Sequence, residues 1–332
     1  MMCAMRKAGA LSILFVVVPL AVAVIAEAQQ PKKVPRIGYL TASSLSANPI
    51  RVAAFRQVLR ELGYIEGQNI VIEWRSSEGK GDRLPALAAE LASLKVNVIV
   101  TSGPTATRSA KEATVTIPIV MAQDNDPVGN GFVASLARPG GNITGLSTLA
   151  PEMSGKQLEL LKEIVARLSR VAVFETSTTP GNAQVLRETE RAAAALGVQL
   201  QRLDVLGPKD IETAFRAAST GRADALLMLT SPIFVLQRTQ IASLSVKSGL
   251  PAIYDRREFV DDGGLMSYGT NFAELSRRTA NYVDKILKGA KPADLPVEQP
   301  KKFEFIVNLK AAKQIGLTIP PNVLVRADKV IK

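Results

Sequence analysis

The chain has 332 residues, a formal net charge of +11, no histidine and a single cysteine. These counts remove the commonest general base and metal ligand, and they exclude a disulfide within the chain. The basic residues are scattered and only 5% of the residues are aromatic, so we expect no nucleic-acid partner and no cofactor. With 47% hydrophobic residues, the fold depends on core burial, most simply as two lobes.

The first 28 residues predict a secretory signal peptide. Arg6 and Lys7 precede an apolar run at 11–25, and the sequence Ala-Glu-Ala at 26–28 is typical of a cleavage site. A membrane anchor is the alternative, but the run is short and contains a proline. Cys3 lies before the run, whereas a lipid-modified cysteine would follow it. We therefore expect an exported, periplasmic protein that is cleaved near Ala28.

From residue 36 onward, short apolar runs alternate with amphipathic stretches, which predicts strands that alternate with helices. In the first half the predicted order is strand 36–40, helix 51–62, strand 69–74, a helix at 82–94 capped by Asp82, strand 96–100, a helix from Pro104, strand 117–121, a helix after Pro127 and strand 142–147. Helices between apolar strands are typical of right-handed βαβ units and parallel sheets.

The second half repeats this pattern. Its predicted order is helix 155–168, strand 170–174, helix 182–196, strand 198–203, a helix at 211–219 capped by Asp210, strand 223–230, helix 234–247, strands 251–254 and 265–268, and helix 272–287. A proline-rich linker at 292–300 precedes a strand at 303–308, a short helix at 309–315 and an extended end at 318–321. Two such runs predict two doubly wound α/β lobes.

The sequence lacks the motifs of several common enzyme classes. The sequence has no G-x-S-x-G elbow, no G-x-G-x-x-G after the first strand and no G-x-x-x-x-G-K-[ST]. A lone catalytic serine or a carboxylate pair stays open, but no residue points to one. We therefore expect a binding protein rather than an enzyme.

The stretch 96–111 predicts a ligand-facing turn. Its apolar strand turns at Ser102 and Gly103, and Pro104 opens a helix at a position where its missing N–H costs nothing. A helix start at the carboxyl end of a parallel strand presents free N–H groups and a partial positive charge, and ligands bind at that edge. An ordinary strand–helix connection is the alternative. The hypothesis is that Ser102, Gly103 and Thr105 hold an anionic group.

Small polar residues also follow the other predicted strands. Hydroxyl groups there suit a carboxylate, and a buried acid suits an ammonium group; Asp126 and Glu175 are the candidate acids. The other candidates for ligand binding are Ser43, Ser44, Asn125, Thr176, Ser231, Tyr254 and Glu258. Each has an alternative role, because hydroxyls and Asp126 also suit helix starts. If the strand ends of two lobes face each other, together they form a cleft for a small solute.

Seven motifs then occur in order along the chain. They are IGYL (37–40), FRQVLRELGYIEGQNIV (55–71), DRLPALAAEL (82–91), VASLARPGGNITGLS (133–147), RREFVDDGGLMSYG (256–269), YVDKILKGAKPADLPVEQP (282–300) and NLKAAKQIGLTIP (308–320). Through them the chain, from about residue 35 to 331, resembles the substrate-binding proteins of bacterial ABC importers, tryptophan/tyrosine type.

This resemblance implies a type I periplasmic-binding fold. Its two parallel-sheet lobes would be joined by three hinge crossovers, near 145–149, 268–271 and 292–297, and would close over the ligand. The implied lobes are 35–147 with 270–292, and 148–269 with 293–332. The implied partners are a small-molecule solute, with an amino acid or related small carboxylate as the best candidate, and an ABC permease in the inner membrane.

The protein itself is expected to be a monomer. Two other functions stay open: the ligand-binding part of a sensor system, and a secreted enzyme on the same scaffold.

Overall fold

The computed structural model describes residues 34–332, so the predicted signal peptide and Cys3 lie outside the described residues. The strands are β1 (Arg36–Thr41), β2 (Val71–Ser76), β3 (Val98–Ser102), β4 (Ile119–Asp124), β5 (Ile143–Ser147), β6 (Arg170–Glu175), β7 (Gln199–Asp204), β8 (Ala225–Met228), β9 (Ala252–Tyr254), β10 (Met266–Thr270), β11 (Phe303–Asn308) and β12 (Lys329–Ile331).

Helices connect most of these strands. They are α1 (Pro49–Glu61), α2 (Leu84–Ser93), α3 (Pro104–Ala113), α4 (Ala150–Ile164), α5 (Asn182–Leu196), α6 (Ile211–Thr220), α7 (Pro232–Leu236), α8 (Arg238–Lys247), α9 (Glu258–Asp261), α10 (Phe272–Leu287), α11 (Leu309–Gln314) and α12 (Pro321–Leu324). Within residues 34–332, no helix has the length and apolar character needed to cross a membrane.

The described strands form two sheets. The first sheet has the order β2-β1-β3-β4-β5 and is parallel throughout. The second has the order β12-β11-β10-β9-β8-β6-β7 and is parallel except where β10 meets β11. We call the first sheet with its helices the first lobe, and the second sheet with its helices the second lobe. The predicted α/β class with parallel-sheet lobes is confirmed.

The antiparallel pair was not predicted, and it follows from the path of the chain. After β10 the chain leaves the second sheet for α10, whose side chains Phe272, Leu275 and Val283 join the apolar core around β1 and β3. The chain then returns to the second sheet from the end at which β10 left it. Strand β11 must therefore run back along β10 in the opposite direction.

The three passages between the sheets lie side by side. The Ser147 N–H donates to the Glu298 carbonyl (2.9 Å), and the Glu298 N–H donates to the Gly145 carbonyl (2.9 Å). The Thr270 hydroxyl donates to the Thr148 carbonyl (3.1 Å). These bonds join the three connections into one narrow strip between the sheets. The residue boundaries of the lobes and the hinge motion stay predictions.

The central strands are buried on both faces. In β3, Val98, Ile99 and Val100 are fully buried, as expected for the middle of a parallel sheet covered by helices. Continuous apolar runs of this kind made the strand pattern predictable.

The predicted helix after Pro127 is wrong, because residues 127–131 form turns and residues 132–137 form bends and irregular backbone. The Asp126 carboxylate accepts a hydrogen bond from the Gly129 N–H (2.8 Å), and the Phe132 N–H donates to the Pro127 carbonyl (2.9 Å). Gly131 has φ +68°, a left-handed conformation outside the range of a right-handed helix. The local hydrogen bonds therefore favour a compact series of turns.

Other local predictions also need correction. The predicted helix 234–247 is interrupted at Gln237 and forms α7 and α8. Asp82 and Asp210 lie in short 3₁₀ turns and make no side-chain cap; the Asp210 carboxylate accepts instead from the Leu206 and Gly207 N–H groups. The predicted extended end is followed by α12 and the edge strand β12, both too short to leave a periodic signal.

The packing at Gly145 gives a prediction about stability. Gly145 has φ +135°, and a Cβ atom there would lie 2.2 Å from the Met121 carbonyl oxygen in the neighbouring strand. Gly145→Ala should lower the free energy of unfolding by about 2–5 kcal/mol, because it adds backbone strain to a clash. Urea denaturation measures this change. The control Gly141→Ala has nothing within 4 Å of the new atom and should change stability by less than about 0.5 kcal/mol. Equal effects would contradict the packing argument.

Candidate ligand-binding site

Strand ends of both sheets line one small cavity. Its volume is about 30 Å³. The first lobe contributes Ala42, Ser43, Arg51, Ser102, Gly103, Pro104, Thr105 and Gln123. The second lobe contributes Thr179, Thr230, Ser231, Pro232, Val235 and Arg256. The cavity therefore lies between the lobes, at the edge where parallel α/β sheets bind ligands.

Five of the predicted ligand-binding residues line this cavity: Ser43, Ser102, Gly103, Thr105 and Ser231. The other seven do not: Ser44, Asn125, Asp126, Glu175, Thr176, Tyr254 and Glu258. For all twelve, contact with a ligand stays a prediction.

The turn before α3 has the predicted geometry. Gly103 has φ +98°, which favours glycine, and Pro104 is the first residue of α3. The Thr107 hydroxyl donates to the Gly103 carbonyl (3.1 Å) and lies 2.8 Å from the Thr101 hydroxyl, so the turn is held from inside the lobe. The start of α3, with Thr105 in its first turn, is thereby presented to the cavity.

Several of the predicted residues serve local structure. The Ser44 hydroxyl accepts from the Ala47 N–H (3.1 Å), and the Asp126 carboxylate holds the turn at Gly129. The Ser231 hydroxyl accepts from the Ile233 N–H (3.2 Å) and from the Thr176 hydroxyl (2.8 Å). Ser231 thus caps α7, which is the alternative role that the sequence left open, whereas Ser44 and Asp126 stabilise turns.

Glu175 and Tyr254 make their polar contacts within the second lobe. Glu175 Oε1 accepts from Arg202 Nε (3.0 Å). The Tyr254 hydroxyl lies 2.8 Å from the Ser245 hydroxyl, and the tyrosine ring stacks on Phe259 with centroids 4.6 Å apart. Tyr254 is fully buried, in agreement with packing as the main role of such a ring.

Asn125 lies between the lobes, beside the start of α5. Its side-chain amide is 3.4 Å from the Asn182 side-chain oxygen and 3.5 Å from the Pro180 carbonyl.

Two buried arginines form the charged part of the cavity wall, and we call Arg51 and Arg256 the arginine pair. Arg51, on α1, donates through Nη2 to Glu258 Oε1 of the second lobe (2.7 Å). Arg256 donates through Nε and Nη2 to the two carboxylate oxygens of Asp255 (2.9 and 2.7 Å). Both guanidinium groups lie over the ring of Phe272, at 4.2 and 4.5 Å from its centroid. The pair thus stands where α1, α9 and α10 meet.

Sequence reasoning missed Arg51, Arg256 and Gln123 as cavity residues. Arg51 lies in the first turn of an amphipathic helix, where a cation is usually solvated, and Gln123 is the fifth residue of a strand. Arg256 lies two residues after the end of β9, so its position at a strand end could have indicated it in the same way as Tyr254.

The Glu258 carboxyl of the interlobe ion pair is ionised at neutral pH. Burial alone would raise the pKa of Glu258, but the guanidinium groups of Arg51 and Arg256 outweigh that effect and lower its pKa to about 2. The same pair joins α1 of the first lobe to α9 of the second. A second bond between the lobes runs from Arg238 Nη1 to the Ala47 carbonyl (2.9 Å).

Arg51 also borders two cavities beside the central one. One, of about 140 Å³, lies beside Asn48 and Glu258; the other, of about 60 Å³, lies beside Phe272 and Glu304. Arg51 lines all three cavities. Within residues 34–332, no cluster of His, Cys, Asp and Glu side chains could hold a metal ion.

Asp124, at the end of β4, carries a strongly shifted pKa. Burial raises its pKa to about 7, against the opposing hydrogen bonds from Asn130 Nδ2 (3.0 Å) and the Asp126 N–H (3.1 Å). Its Oδ2 atom is buried without a hydrogen-bond partner among the described residues. The folded protein therefore favours the protonated acid at this position.

This shift predicts how stability depends on pH. Between about pH 4 and 7 the folded state keeps the Asp124 proton that the unfolded chain has lost, so unfolding becomes easier as pH rises. Above pH 7 the resulting loss in the free energy of unfolding reaches about 4 kcal/mol. Asp124→Asn should flatten this dependence and raise the free energy of unfolding at pH 8, as measured by urea denaturation from pH 4.5 to 8. The exposed control Asp294→Asn should keep the wild-type profile. A wild-type profile for Asp124→Asn would contradict the burial argument.

Several known proteins are similar to this chain in sequence. The sequence model of a family described as ABC transporter substrate binding protein matches residues 45–331. A tyrosine-binding protein of Clostridioides difficile (strain R20291) is 25% identical over 264 residues, which are 79% of this chain and 75% of that protein.

Two solved structures, each 26% identical, superpose closely. One is an ABC domain from Streptococcus pneumoniae in complex with L-Trp. Its TM-score is 0.83, and the match covers 90% of this chain and 99% of the S. pneumoniae chain. A conserved domain protein from Vibrio cholerae O1 biovar El Tor has a TM-score of 0.85 and covers 90% of this chain and 100% of its own.

The matched family is one of solute-binding proteins rather than enzymes, and it implies a small-molecule ligand and a membrane permease as partners. Its model covers most of the described chain, from the loop after β1 to β12. The chain belongs to the family of ABC transporter substrate-binding proteins.

Proposed function

We propose that the chain is the periplasmic solute-binding component of an ABC importer, and that a small solute with a carboxylate group binds between the lobes. The observation that carries this proposal is a cavity to which the strand ends of both sheets contribute. The relatives support the carboxylate, because one is a tyrosine-binding protein and another was solved with L-Trp. An amino acid or a related small carboxylate is therefore the starting class.

The start of α3 holds the carboxylate in this proposal. Helix N-termini present N–H groups that lack intrahelical partners, together with a partial positive charge. The Ser102 and Thr105 side chains add hydroxyl groups at the same place, and Ser43 lies beside them. From the other lobe, Ser231 and Arg256 face the same space.

Admission of the solute requires the lobes to separate. A cavity of about 30 Å³ is far smaller than the roughly 300–1,000 Å³ of typical small-molecule sites. The three connections between the sheets, joined through Gly145, Glu298 and Thr270, are the natural hinge. Solute binding then shifts the balance toward the closed arrangement, to which the Arg51–Glu258 ion pair contributes.

The remaining assignments follow from this mechanism. The lobes comprise 35–147 with 270–292, and 148–269 with 293–332. The closed protein docks on a permease as a monomer and releases the solute unchanged. The periplasmic location rests on the family and on the N-terminal sequence pattern.

A bulky side chain at position 102 should block solute binding. Amino acids and small carboxylates are screened by thermal shift with the chain cleaved at Ala28. At a concentration 100 times its Kd, a solute should stabilise the wild type by about 2.7 kcal/mol, a shift of several degrees. Ser102→Trp should abolish the shift given by the strongest solute, since its indole group fills the cavity.

The matched control is Ser93→Trp, on the exposed end of α2 far from any strand end that lines the cavity. It should keep the wild-type shift. If Ser102→Trp folds and still binds the same solute with wild-type affinity, the cavity is not the binding site. Conversion of the solute to a product would instead indicate an enzyme.

A further inference from the structure

The lining of the central cavity is one-sided in charge. Among the described residues that line it, Arg51 and Arg256 are charged and none is acidic. The remaining polar lining consists of hydroxyl groups, the Gln123 amide and the start of α3. An ammonium group needs acceptors, preferably a carboxylate, whereas an anion needs donors.

The two acids that contact the arginine pair do not line the cavity. Both Asp255 oxygens accept from Arg256, and Oδ2 also accepts from the Thr230 hydroxyl (2.8 Å). Glu258 Oε1 accepts two hydrogen bonds from Arg51, while Oε2 is buried without a partner among the described residues. Glu258 lines the neighbouring cavities rather than this one.

The two acids that the sequence suggested for an ammonium group are also occupied. Asp126 holds the turn at Gly129, and Glu175 is bonded to Arg202. Neither lines the cavity.

Donors, by contrast, are left over. Arg256 is 3% exposed, and its Nη1 has no hydrogen-bond partner among the described residues, although Nε and Nη2 are both engaged. The Arg51 Nη1 atom has one partner, Gln123 Oε1, at 3.2 Å. A buried guanidinium N–H without an acceptor is costly, and an oxygen atom of a solute would satisfy it.

The arginine pair also concentrates positive charge. Both guanidinium groups lie within 4.5 Å of the centroid of one ring, that of Phe272. Neither of their counterions, Asp255 and Glu258, lines the cavity. A bound anion would be attracted by both cations at once.

We infer that this cavity selects small organic carboxylates without an ammonium group over the amino acids of the same carbon skeleton. The inference rests on the proposed function, in that the solute occupies this cavity. It gives the chain a specificity different from that of the relatives that bind tyrosine or tryptophan. The deciding observation is a cavity that has two arginines and no acidic side chain in its described lining, with Arg256 Nη1 making no hydrogen bond to a described residue.

Matched pairs of solutes test the inference. Each pair has an amino acid and the acid that lacks its amino group: alanine and propionate, glutamate and glutarate, phenylalanine and 3-phenylpropionate, tryptophan and 3-(indol-3-yl)propionate. Kd is measured by titration calorimetry at pH 7.4 and constant salt. At least one deaminated acid should bind tenfold or more tightly than its amino acid, because the buried ammonium lacks a carboxylate partner.

The other outcomes separate the inference from the proposed function. If the amino acid of the best-binding pair binds more tightly, the inference is overturned and the proposed solute-binding function stands. If none of the acids binds but a neutral sugar does, the inference is likewise overturned while solute binding survives. If neither the pairs nor sugars bind, both fail.

A variant of the cavity wall provides a second test. Gln123→Glu places a carboxylate in the cavity at nearly constant volume, next to Arg51. The affinity for deaminated acids should fall at least about tenfold, because like charges meet and the new acid takes up an arginine. The affinity for the paired amino acids should fall less.

The control Gln314→Glu makes the same change on the exposed end of α11 and should leave all affinities unchanged. If Gln123→Glu binds the deaminated acids as tightly as the wild type does, the inference is overturned. If this variant does not fold, the inference is decided by the affinities of the wild-type protein for the matched pairs of solutes.

Discussion

The order of strands and the three adjacent connections between the sheets constrain everything else in this structure. Parallel strands place all their carboxyl ends at one edge of a sheet. The hydrogen bonds among Gly145, Ser147 and Glu298, and between Thr270 and Thr148, keep the two edges next to each other. Residues far apart in sequence, such as Ser43 and Ser231, therefore meet at one cavity. No single segment of the chain contains the site.

Charge gives this shared edge its chemical character. Arg51 belongs to the first lobe and Arg256 to the second, and the guanidinium groups of both contact the ring of Phe272. Each has a carboxylate partner outside the lining, which offsets part of the cost of burying it. The described lining of the cavity thus contains both cations and neither of their carboxylate partners. A protein that closes over a ligand gains from this arrangement, because electrostatic attraction strengthens as water is excluded.

Most of the fold could be predicted from the sequence, because buried parallel strands leave continuous apolar runs such as 98–100. The helix expected after Pro127 could not, since the bond from the Gly129 N–H to Asp126 is a matter of local geometry. The same holds for the site. Position along the chain identified Ser102 and Thr105, but it gave no information on partners. The sequence pattern indicated Glu175 for an ammonium group, but it could not show that Glu175 accepts a hydrogen bond from Arg202.

Arg51 combines bulk with charge, since its side chain borders the central cavity of about 30 Å³ and two larger cavities of about 60 and 140 Å³. A shorter, uncharged residue at this position would leave more space around the central cavity and would remove one of its two cations. Under the proposed function, room for a bulkier solute is therefore gained at position 51 only together with a weaker attraction for anions.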